Sequence, residues 1–137
     1  MTPAGYSGTP LARKLGFKAG MKVWASGMPG TVKAEIRSSE PELTWAARAA
    51  PGLAAAHVFV TKRSELRTRL VSLRKTIAPD GMIWVSWPKK SSGVPSEITE
   101  DTVRELALPI GLVDVKVCAV DQTWSGLKLV IRKELRS

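Results

Sequence analysis

The 137-residue chain holds one cysteine, Cys118, and one histidine, His57. A single thiol excludes an internal disulfide, and the expected compartment is the reducing cytoplasm. One His and one Cys 61 positions apart have no metal-ligand spacing, so no metal site is expected. Aromatic residues make up only 6%, and neither an RNP-type nor a helix-turn-helix signature is present. No apolar run approaches the roughly 20 residues that cross a bilayer. The opening MTPAGYSGTPLARKL lacks the charged start and apolar stretch of a secretory signal. No membrane partner is expected.

Acidic residues are also few. Against 21 Lys+Arg stand 12 Asp+Glu, a formal charge of +9. Such an excess concentrates anionic partners around the chain and hastens their encounter, and salt weakens both effects. An anionic small molecule, an acidic protein surface and nucleic acid all fit. A merely solubilising surface is the bland alternative.

The length fits one domain. Residues 1–8, rich in Gly, Ser and Pro, read as a flexible arm before a single α/β domain over 9–137. Thr9-Pro10 reads as an N-cap and first helical turn, with Gly16 as the stop. Residues 21–25 (MKVWA) form a first strand, and 31–37 a brief helix. A second strand is expected over 43–48. Residues 57–61 (HVFVT) have the nearly continuous apolar pattern of a strand covered on both faces. Leu66, Leu70, Leu73 and Ile77 then repeat at helical spacing behind a Ser64 N-cap. Ala78-Pro79-Asp80-Gly81 ends that helix in a turn, and 82–87 (MIWVSW) follow as a strand. Thr99 caps a helix through Leu106 or Ala107, with Glu100 and Asp101 in its first turn. The alternating runs 113–120 and 127–133 close the chain as an antiparallel hairpin. Strands alternating with helices require crossovers. The predicted fold is therefore three-layer and Rossmann-like, its sheet mainly parallel with a C-terminal antiparallel hairpin.

Three stretches carry a likeness to a known family. LGFKAGMKVWASGMPG (15–30) resembles the lead-in helix and glycine-rich first motif of class I S-adenosylmethionine-dependent methyltransferases. LRKTIAPDGMIWVS (73–86) resembles the helix, proline-glycine turn and fifth strand of that fold. Residues 111–133 resemble its terminal hairpin. The whole sequence also resembles a small bacterial family of unknown function, through GYSGTPLARKLG, WVSWPKKSSGV and LPIGLVDVKVCAVDQTWSGLK. The first resemblance implies a shortened methyltransferase-like frame, and the second implies no activity.

The departures from the methyltransferase pattern concern the cofactor. The first motif normally carries an acid and then Gly-x-Gly-x-Gly, whereas this chain reads Trp24-Ala25-Ser26-Gly27-Met28-Pro29-Gly30. Met28 and Pro29 crowd the approach, and Pro29 removes an N–H donor. The acid that grips the ribose after the second strand has no counterpart in Thr44-Trp45-Ala46-Ala47-Arg48. S-adenosylmethionine is thus disfavoured, and no cofactor is assigned.

Ligands of open parallel sheets bind beyond the carboxyl ends of the strands. Three loops are expected to meet there and supply the candidate ligand-binding residues. Ser26, Gly27 and Gly30 come from the first, and Lys62, Arg63 and Ser64 from the second. Trp87, Lys89, Lys90, Ser91 and Ser92 come from the third. Four cations beside helix starts suit phosphate or carboxylate, and Trp87 could stack on a flat ligand. The competing reading is that these cations simply fan into solvent.

No catalytic residue is assigned. His57 opens a buried strand without an acid or thiol nearby, which suits a structural histidine. Cys118 sits among valines as a small hydrophobe. Trp84 and Trp87 cannot share a strand face. Trp124, in the hairpin turn, is expected to be exposed and to contact a partner. Arg67, Arg69, Arg74 and Lys75 line the polar side of the central helix, either solvated or set against nucleic acid.

Three functions follow from this reading. The first is a non-catalytic methyltransferase-like module that binds an anionic ligand or a protein partner. The second is an active methyltransferase with an atypical motif, and the third a basic nucleic-acid-binding protein. A homodimer would protect an uncovered sheet edge.

Overall fold

The computed structural model describes residues 9–136, so the expected arm over 1–8 lies outside the described residues. The helices are α1 (Leu11–Leu15), α2 (Gly30–Ser39), α3 (Arg63–Thr76) and α4 (Glu100–Ala107). The strands are β1 (Lys22–Ser26), β2 (Thr44–Trp45), β3 (Leu53–Phe59), β4 (Ile77–Pro88), β5 (Leu112–Ala119) and β6 (Trp124–Ile131). They form one sheet in the order β2-β1-β3-β4-β6-β5. The first four strands run parallel, and β6 lies antiparallel to both β4 and β5. That is the mainly parallel sheet with a closing hairpin. No helix among the described residues is long and apolar enough to cross a membrane.

Each sheet face has its own core, because the buried central strands must be apolar on both sides. Leu66, Leu70 and Leu73 of α3 and Val103 and Leu106 of α4 pack on Val58, Ile83, Val85 and Leu127. Leu11 and Leu15 of α1 and Val32 and Ile36 of α2 pack on Val23, Ala55, Phe59 and Trp84. Trp84 and Trp87 therefore serve opposite cores, as their odd spacing requires. The Trp84 indole N–H donates to the Leu15 carbonyl at 2.8 Å and ties α1 to the sheet. Trp87 is 8% exposed, so most of its surface goes to packing.

Several local expectations need correction. The strand expected from His57 begins at Leu53, because pairing on both sides draws in the weak strand formers Ala55 and Ala56. Residues 78–81 do not terminate α3 as a separate turn. They lie within β4 as a bulge, where register jumps from Leu53↔Ile77 to Ala55↔Met82. The Cβ position of Gly81 falls 2.6 Å from Ile77 Cγ1, so the bulge admits only glycine there without a shift. α3 starts two residues earlier than a Ser64 N-cap implies, with Lys62 at the N-cap position. Thr99 caps α4 with a full capping box, as the sequence suggests.

The second strand departs furthest. It covers only Thr44 and Trp45, which pair with Lys22 and Val23. As an edge strand it has no outer neighbour, and Ala46 and Ala47 favour strand poorly. Ala46 and Ala49 instead pack against the α3-side core as the chain returns to β3.

Candidate functional site

The chain leaves β1 toward β2 on one side and returns to β3 on the other, so strand order reverses between β1 and β3. The crevice beyond Ser26 and Phe59 is the position where such sheets bind ligands. Its rim comprises the segments after β1, β3 and β4 and the β5–β6 connection.

The first loop bends tightly. Gly27 has φ +69°, and a Cβ there would meet the Phe59 carbonyl at 2.8 Å. This glycine thus lets the loop rest against the end of β3. Gly30, the first residue of α2, has open space around its Cβ position, and the helix has no side-chain N-cap. Ser26 is half-buried and pairs with Val58.

The second loop is already partly neutralised. The Arg63 amide donates to Glu97 Oε1 at 2.8 Å, so a carboxylate from this chain occupies the start of α3. The Arg63 guanidinium pairs with Glu105 at 3.1 Å. Lys62 and Ser64 are exposed. Thr61, Lys62, Pro95, Ser96 and Glu97 line a cavity of about 310 Å³. Glu97 had no periodic or motif signal in the sequence; only its fold-back onto α3 reveals its role.

The third loop folds onto the hairpin. The Lys89 ammonium donates to the Asp121 carbonyl at 2.7 Å, and its amide to the Thr123 carbonyl at 2.7 Å. Ser92 Oγ donates to the Lys89 carbonyl and accepts from the Val94 amide, closing a turn. Lys90 and Ser91 are exposed. Of the four rim cations, Arg63 and Lys89 are engaged. The side chains of Lys62 and Lys90 form no ion pair among the described residues.

Three acids reach this rim, Glu105 through its pair with Arg63, and each already has a partner in the chain. Glu97 caps α3, while Asp121 Oδ1 accepts the amides of Thr123 and Trp124 at 2.8 Å each. Trp124 is not the exposed contact expected of it. It is half-buried against Phe59, with ring centroids 5.0 Å apart and planes at 79°.

His57 lies beneath the crevice. It is fully buried, stacks on Phe59 at 4.4 Å, and has Nε2 2.7 Å from Ser86 Oγ. Burial pushes its pKa from 6.5 down to about 3, so the ring is neutral. Burial also raises the Cys118 pKa against the opposing pull of Lys14 and Lys116. A raised thiol is a poor nucleophile. No three His, Cys, Asp or Glu side chains cluster for a metal among the described residues.

Residues 54–133 match the family described as a protein of unknown function, DUF3052. The chain belongs to that family. No curated protein matches it. The DUF3052 chain is similar in structure to a TehB-like methyltransferase of Corynebacterium glutamicum, dependent on S-adenosylmethionine. That likeness covers 94% of this chain and 91% of that one, with 10% identity and a TM-score of 0.53. It is also similar to Aeropyrum pernix fibrillarin with bound S-adenosyl-L-methionine, over 92% and 70% of the chains, with 12% identity and a TM-score of 0.53. An O-methyltransferase of neocarzinostatin biosynthesis shares 11% identity and a TM-score of 0.63 over 93% of this chain and 51% of that one. At these identities the likeness shows a methyltransferase-like fold and nothing further.

Proposed function

We propose that this DUF3052 chain is a non-catalytic methyltransferase-like module that binds an anionic ligand at the carboxyl ends of its parallel strands. The reading rests on the shortened second strand. β2 last pairs at Val23, three residues before β1 ends at Ser26. At roughly 3.3 Å per residue, its end stops about 10 Å short of the rim. The segment that follows, Ala46-Ala47-Arg48, offers no carboxylate to accept a cofactor's ribose hydroxyls.

The other features agree with that. Ser26 ends β1 where the methyltransferase pattern has an acid, and Pro29 lacks an N–H. The residues present therefore do not fit S-adenosylmethionine. What remains for a ligand is positive. Lys62 and Lys90 are exposed at the rim, and the uncapped start of α2 adds free N–H groups. Ser64, Ser91 and the open approach over Gly30 complete the candidate surface.

Amide NMR during addition of inorganic phosphate and of a nucleotide tests this reading. Saturable shifts confined to residues 26–30, 61–64 and 88–93 are expected. No perturbation of those loops at millimolar ligand would contradict it.

A further inference from the structure

Lys116 and Lys128 stand directly opposite each other on the antiparallel strands β5 and β6. Directly paired residues project from the same sheet face, and like charges so placed repel. α1 brings more positive charge to the same place. Lys116 Nζ donates to the Lys14 carbonyl at 2.9 Å, and Lys14 Nζ donates to the Ala119 carbonyl at 2.8 Å. Lys128 Nζ lies 3.8 Å from the Cβ position of Gly16, the residue that ends α1. Lys18, two residues further on, lies close enough to repel Lys128.

The other face of β5 is arranged differently. There Asp114 meets Arg104 at 3.0 Å, and Glu100 and Asp101 complete a cluster in which three carboxylates surround one guanidinium. None of the ion pairs among the described residues involves Lys18, Lys116 or Lys128. Burial lowers the Lys128 pKa, and Lys116 and Lys18 lower it further. The Lys14 carbonyl orients the Lys116 ammonium without cancelling its charge.

We propose that Lys18, Lys116 and Lys128, held beside α1, form a docking surface for the phosphate backbone of nucleic acid, independent of base sequence. Lysine offers a compact point charge that suits a phosphate oxygen. No tryptophan or phenylalanine among the described residues is exposed, so the surface has no stacking platform for bases. The exposed Val117 of β5 lies on the face opposite Lys128, since it pairs with the inward Leu127. The lysine face thus lacks the apolar half of a membrane-surface element. The proposal does not depend on a ligand at the rim.

Fluorescence anisotropy of the full chain with two unrelated labelled duplexes tests the proposal. Equal affinities are expected, with log K falling against log salt at a slope of about −3 for three phosphate contacts. The K116Q/K128Q double variant should reduce that slope by about 2, and K116R/K128R should retain it. K75Q/K133Q, which removes two exposed charges elsewhere, should change the slope by less than half as much. Melting temperatures of the variants separate lost binding from lost folding. Three results would overturn the proposal: no duplex binding at low salt, equal losses from both glutamine pairs, or tighter binding to anionic phospholipid vesicles than to duplex at matched phosphate.

Discussion

The Nε2 atom of His57 lies 2.7 Å from Ser86 Oγ, and no polar group among the described residues meets the Nδ1 atom. This pair sits between β3 and β4 in the α1-side core, beside Trp84 and Phe59. The chain thus keeps its one histidine neutral and half-satisfied directly under the crevice.

That environment fixes a pH dependence. The unfolded chain takes up a proton near the ordinary pKa of 6.5, whereas folded His57 does so only at about 3. Its contribution is complete above pH 6.5 and is lost as the pH falls toward 3, with a slope of up to about 1.4 kcal/mol per pH unit. Denaturant titrations at neutral and acid pH should therefore show wild type losing ~2–3 kcal/mol more than His57→Gln by about pH 4.5. Parallel losses in the two proteins would refute the assignment. Ser86→Ala, which leaves both ring nitrogens unmet, should cost about 1–3 kcal/mol at neutral pH.

Gly27→Ala probes how the first loop seats on β3. The backbone at φ +69° disfavours any side chain, and the new methyl would lie 2.8 Å from the Phe59 carbonyl. A loss of about 1–3 kcal/mol is expected from equilibrium unfolding. An unchanged midpoint would mean that the loop is not held there.

Trp84→Phe removes the only side-chain hydrogen bond from β4 to α1 among the described residues. The Leu15 carbonyl is left buried without that donor, at a cost of about 1–3 kcal/mol. Hydrogen exchange should show α1 amides losing more protection than those of α3. Equal losses in both helices would contradict the tether.

Much of this architecture was legible because the signals were local. Leu66, Leu70 and Leu73 mark α3 by their spacing, Thr99 caps α4, and Gly16 ends α1 in a left-handed conformation. Tertiary pairing decided the rest. Ala55 and Ala56 become strand because parallel neighbours pair with them on both sides. Residues 78–81 look like a turn but are absorbed as a bulge once β4 aligns with β3. At the rim, Lys62, Arg63, Lys89 and Lys90 were visible as cations, but their partners were not. Glu97 and Glu105 come from distant positions to meet Arg63, and Asp121 offers Lys89 a carbonyl. The basic face was hidden because Lys18, Lys116 and Lys128 are distant in sequence and meet only when α1 packs beside the hairpin.

The shortened β2 and the seated first loop bear on one question before any other, whether the methyltransferase-like frame retains its cofactor. Isothermal titration calorimetry of the full chain with S-adenosylmethionine and S-adenosylhomocysteine asks it directly. No saturable heat is expected for either compound up to millimolar concentration. Stoichiometric binding of either at micromolar Kd would contradict the non-catalytic reading.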